Sequence, residues 1–164
     1  MEEKKTAIHL DPVWRDRANF LIAARFLLNE QDPTSWREEQ LWARQTGINR
    51  FEICCIPFFV RGLALGDEVE TGLDGSERYI IQRLIHPSGH TTFRIWFGNS
   101  PYQHVKNEVV RELSDLGCLL EWSSENLLAV SAPSRQTAED VARLLLYRQQ
   151  RGHLLYETGR SIGE

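Results

Sequence analysis

The sequence predicts an α+β protein of two closely joined units, a β-rich N-terminal part and a ferredoxin-like split βαβ unit. The first part is expected to form a small barrel or curled sheet with one short helix. Three observations lead there. Strand-like segments separated by turn residues fill the first half of the chain. Amphipathic helical stretches of period 3.6 stand out only after Asn99. From Thr91 onward the elements run strand, helix, strand, strand, helix, strand, the order of a split βαβ unit. A boundary near residue 90 gives units 1–90 and 91–158, with 159–164 as a flexible tail.

The first strand is Phe20 to Leu28: its Ala and Leu content would suit a helix, but no cap precedes it and Asp32-Pro33 follows closely. Ser35 then stands as the cap of a short helix over WREEQLWARQTG, with Glu38 at capping-box distance and Gly47 as the stop. Arg50 to Val60 reads as the second strand. Pro57, which cannot donate to a sheet, must end it, bulge it or place it at an edge. Gly62 and Gly66 punctuate a loop leading to a short strand at Glu68 to Thr71. Reversals at Gly72 to Gly75 and at His86-Pro-Ser-Gly-His90 frame the strand Arg78 to His86.

In the strand Thr91 to Phe97, Phe93, Ile95 and Phe97 share one face, Arg94 and Trp96 the other. Ser100-Pro101 is a good helix start, and Tyr102, Val105, Val109, Leu113 and Leu116 form one stripe before Gly117. CLLEW and NLLAVSA read as strands joined by a turn at Ser123 to Asn126. A second helix from Thr137, with Asp140 as capping-box partner, carries Ala138, Val141, Ala142 and Leu145 inward until Gly152, and HLLYE is the last strand. The helices leave one sheet face for the N-terminal unit or for solvent, and an exposed face or edge would suit a homodimer.

A chain of 164 residues with 41% hydrophobic and 26% charged residues can bury a core without metals or disulfides. Nineteen basic against 23 acidic residues, a net charge of −4, disfavours a generic nucleic-acid or anionic-membrane binder. No apolar run reaches the ~18 residues a bilayer span needs, and the start lacks a secretory apolar segment, so a cytoplasmic protein is expected. The three cysteines, with Cys54 and Cys55 adjacent in an apolar run, have no zinc spacing and read as reduced, packed thiols.

Ile56-Pro-Phe-Phe-Val-Arg-Gly-Leu-Ala-Leu-Gly-Asp-Glu-Val resembles the bacterial domain of unknown function 4265 family, most strongly over residues 57–69. The likeness extends loosely to Leu41-Trp-Ala and Pro87-Ser-Gly. The resemblance implies no reaction and no catalytic residues.

No nucleophile elbow, phosphate loop or dinucleotide turn is present, so neither catalytic residues nor a cofactor are expected. His86 and His90 face each other across a turn without a third ligand, which argues against a metal. His9, His104 and His153 fall in no partner pattern. Residues 51–90 hold six acidic and three basic side chains. Asp67, Glu68, Glu70 and Asp74, together with Trp96, therefore suggest a surface for a basic protein partner. The leading expectation is a non-enzymatic interaction protein, for instance one of immunity or antitoxin type blocking a basic enzyme. The alternative is a small-molecule sensor using the cleft between the units, with Arg61, Gly62, Gly66, Asp67, His86 and His90 as its loop and turn residues.

Overall fold

The computed structural model describes residues 6–75, 77–98 and 103–158. Strands β2 (Phe20–Leu27), β3 (Trp36–Gly47), β4 (Arg50–Ile53), β5 (Glu68–Leu73) and β6 (Tyr79–His86) pair antiparallel in succession. β6 closes back on β2 in parallel, with Ala23 opposite Ile80, making a five-stranded barrel. A two-residue strand β1 (Thr6–Ala7) adds parallel to β3. Alternation decides what points in: Ile22, Ala24, Leu41, Ala43, Phe51 and Val69 fill the interior.

The helix expected over residues 36–47 is a strand. Glu39, Leu41 and Ala43 point inward at period 2, and β2 supplies a continuous partner from Phe20 opposite Ala43 to Leu27 opposite Trp36. Long-range pairing overrides the helical composition. Ser35 caps no helix: its hydroxyl donates to the Asn29 and Asp32 carbonyls and accepts from the Asn29 amide, building the β2–β3 turn.

The strand expected at residues 50–60 also stops early, at Ile53. Beyond it, the amides of Ile56, Phe58, Phe59 and Val60 donate to carboxylates of other strands, so no ladder continues. The segment from Cys54 turns through Gly66, whose φ of +83° and close neighbours require glycine: a Cβ would meet Ser88 at 3.0 Å and Trp14 at 3.3 Å.

The second unit follows the expected order: β7 (Thr91–Trp96), α1 (Gln103–Asp115), β8 (Leu119–Trp122), β9 (Leu127–Ala132), α2 (Arg135–Gln150) and β10 (Leu155–Thr158). Its sheet runs β10-β7-β9-β8, antiparallel throughout. Val105, Val109 and Leu113 of α1 and Ala138, Val141 and Leu145 of α2 pack on Phe93, Ile95 and Phe97. The Ser100-Pro101 start, Tyr102 and the tail 159–164 lie outside the described residues. α2 begins before Thr137, because Ser134 is the cap and accepts from the Thr137 amide; Asp140 bonds the Gln136 side chain instead.

The sheet face away from the helices is covered by the N-terminal part: Ala129 packs against Ile56, Phe58 and Leu65. Among the described residues, no helix is long and apolar enough to cross a membrane.

Candidate functional site

Register across the second sheet places Glu157, Arg94, Ala129 and Glu121 side by side on β10, β7, β9 and β8. This polar row faces the barrel, and its two halves do different things.

At one end, Glu121 meets His9 and Glu39. His9 Nε2 donates to Glu39 at 2.7 Å and Nδ1 donates to Glu121, while the ring stacks on Phe58 at 3.9 Å between centroids. Ionised carboxylates only accept, so a ring with one on each nitrogen is an imidazolium. Burial alone would lower the His9 pKa, but the hydrogen bonds of Cys55, Glu121 and Glu39 outweigh it and hold it well above its ordinary 6.5. Burial would likewise raise Glu39, yet His9 and the Phe58 and Phe59 amides lower it. Glu39 takes three amides, from Phe58, Phe59 and Val60, and Glu121 takes those of Val13 and Ile56. Every carboxylate oxygen has a donor. The cluster is closed to solvent and ties three parts of the chain together.

At the other end, a cleft of about 400 Å³ opens between barrel and sheet. Phe26, Phe59, Trp96, Leu127 and Leu155 supply its apolar walls, and Arg61, Arg94 and Glu157 its charges. Arg94 is only 4% exposed. Its Nη2 donates to the Val60 carbonyl at 2.6 Å, but Nε and Nη1 have no hydrogen-bond partner. The nearest carboxylate, Glu157, stands 3.5 Å from Nη1 and also 3.5 Å from Nη2 of Arg61. Burial depresses the Arg94 pKa, opposed by Glu157 and Glu39; a guanidinium stays charged regardless. The cleft thus sets a buried planar cation, two of whose donor atoms are reached by neither a protein acceptor nor solvent, behind aromatic walls, with the exposed Arg61 beside it; that pairing suits a carboxylate or phosphate attached to an apolar body.

The residues singled out from sequence are scattered. Asp67 is 0% exposed; its carboxylate accepts from the Ala64 and Ser88 amides and holds the Gly66 turn. Glu68 lies by Arg50 at 3.8 Å and His86 at 3.9 Å, Glu70 pairs with Arg83 at 3.0 Å, and Asp74 pairs with Arg78 at 2.9 Å. Glu68, Glu70 and Asp74 are therefore answered by Arg50 and Arg83 on neighbouring strands and by Arg78 just before β6. His86 is exposed, whereas His90 bonds Ser131 at 2.9 Å and is lowered by burial. Arg61 and Trp96 reach the cleft; Gly62, Gly66, Asp67, His86 and His90 do not line it. Among the described residues, no group of three or more His, Cys, Asp or Glu is placed to hold a metal ion. Cys54, Cys55 and Cys118 are buried free thiols, each pushed up to about 11 by burial.

Sequence reasoning missed His9, Glu39, Glu121, Phe26 and Glu157. A signal existed for two: Glu39 and Glu121 each occupy an inward position in an alternating strand, where a carboxylate demands a buried partner. The cleft residues carried no comparable mark, since only tertiary register joins them.

A family model described as "Domain of unknown function (DUF4265)" matches residues 39–156. A solved structure, "Novel crystal structure of a hypothetical protein from Neisseria gonorrhoeae", is similar with a TM-score of 0.72 at 22% identity, over 85% of this chain and 93% of that one. At that identity the likeness bears on fold alone. No curated protein matches the chain.

Proposed function

Because the chain belongs to the DUF4265 family, whose description supplies no reaction, we propose a function from its geometry: it is a binding domain that takes a small anionic, largely apolar molecule into the cleft between barrel and sheet. The observation that carries this reading is Arg94, a buried guanidinium with two donor atoms unsatisfied on the wall of an aromatic-lined cleft. Leaving such donors bare costs on the order of 1–3 kcal/mol; both atoms are buried, so an anion recovers that cost by taking the place of Glu157 beside Nη1. Glu157, too far for a good hydrogen bond to either arginine, acts as a displaceable counter-charge at the mouth.

A protein-partner surface on the acidic hairpin has less support, since Asp67 is buried and Glu70 and Asp74 are already paired. The test is calorimetric titration of the protein with hexanoate and 3-phenylpropanoate, against hexan-1-ol. Both acids should bind and the alcohol should not. Arg94→Met should weaken binding about 10- to 100-fold, the worth of a charge-assisted hydrogen bond. Glu157→Gln should tighten it, because the competing carboxylate is gone. Absence of any carboxylate binding to the wild-type protein would refute the reading.

A further inference from the structure

We propose that the ligand is a straight-chain acyl carboxylate, its head at Arg94 and its chain crossing Phe59 into a second apolar cleft. The inference rests on the cleft reading above and adds the shape of the molecule. A second cleft of about 410 Å³ adjoins the first, and Phe26, Leu28 and Phe59 line both. The Phe26 and Phe59 rings stack at 5.5 Å and 18°, forming a smooth aromatic ridge between the two.

Beyond the ridge stand Ile8, Leu10 and Trp122, all exposed, with Leu10 at 81%. Contiguous exposed apolar residues next to a cleft mark a place where something apolar is covered. Another adjoining recess has three charged side chains, Arg25, Glu30 and Arg61, among five apolar ones, against the single charge of Arg37 in the second cleft, so a hydrocarbon favours the second cleft. A compact aromatic acid would fill the first cleft and leave the ridge and Leu10 bare. A flexible chain anchored at the guanidinium reaches both, and the positive charges of Arg94 and Arg61 on the first cleft select an anionic head over a neutral one.

The experiment is titration of the intact protein with hexanoate, octanoate, decanoate and dodecanoate below their micelle concentrations, with decan-1-ol as the uncharged control. Affinity should rise about two- to four-fold per added methylene across the series, as burial of CH₂ groups requires. Leu10→Asn, a change at an exposed position, should flatten that rise for decanoate and dodecanoate while leaving hexanoate unaffected. If hexanoate binds and longer acids bind no more tightly, the chain stops in the first cleft: this inference fails and the small-anion reading stands. Equal loss of hexanoate and dodecanoate affinity in Leu10→Asn would also overturn it, showing a general effect on the fold. Binding of decan-1-ol as tightly as decanoate would show apolar adsorption only, and a lack of response to every acid would remove both readings together.

Discussion

His9 and Arg94 are both buried cations on the seam between barrel and sheet, and the chain surrounds them in opposite ways. His9 lies between two carboxylates whose remaining acceptor positions are filled by five backbone amides. Arg94 has one firm hydrogen bond and two bare donor atoms, with Glu157 held at a distance. A buried charge with every partner in place is architecture; removing one partner strands the other. A buried charge left half-satisfied at the edge of a cleft is where the proposed anion would act. The contrast separates a cation whose partners are all supplied by the chain from one whose partners are not.

The sharpest way to break the comparison is Glu39→Ala, which strands the imidazolium and three amides at once. Its stability should fall by roughly 3–5 kcal/mol in urea denaturation. Next comes pH. Folding takes up a proton at His9 wherever the unfolded imidazole has lost its own, so that contribution is whole below about pH 6.5 and drains away as pH rises beyond it.

Between about pH 7 and 8 His9 should make the unfolding free energy decline by ~1.4 kcal/mol per pH unit, and a folded His9→Gln variant should lose that part of the slope; the buried Cys54, Cys55 and Cys118 thiols steepen the decline further as pH approaches their unfolded value of 9.0. His90, lowered by burial, acts with the opposite sign and only below pH 6.5, so it leaves the alkaline limb untouched. On the acid side, Glu39 contributes fully above its unfolded value of 4.5 and is lost as pH falls through its lower folded value.

Arg94→Met sharpens the other half: it removes one hydrogen bond but also a desolvated charge, so stability should change by no more than about 1 kcal/mol while carboxylate binding weakens about 10- to 100-fold. Smallest of all is Glu70→Ala on the exposed hairpin, which should leave the melting midpoint where it was, because an exposed pair such as Glu70–Arg83 is screened by water.

Local pattern made most of this fold legible. The absence of a cap and the Asp32-Pro33 stop marked β2, flanking turn residues marked β6, alternation marked β7, and the 3.6 period of Val105, Val109 and Leu113 marked α1. β3 was misread because Ser35 and Glu38 mimic a capping box, and the deciding fact, a partner strand beginning at Phe20, lies outside any local window. The buried cluster was half legible through Glu39 and Glu121, yet nothing near His9 announced that residues 9, 39 and 121 meet. The cleft was legible only as the expectation that a junction between two units would contain one. Its members, from Phe26 to Glu157, are collected by strand register, and Asp67 drew attention as an acid when its work is to fasten a turn.

The bond between His9 and Glu121 spans 112 positions of the chain. On a translating ribosome, His9 emerges roughly 6–22 s before the carboxylate it needs. The barrel strands can all be made in that interval, and β3 then holds the segment through β1 and Glu39, but the second nitrogen of the His9 ring lacks its carboxylate until β8 arrives. A nascent chain halted after β6 would therefore hold His9 by Glu39 alone, with half of its final charge partners.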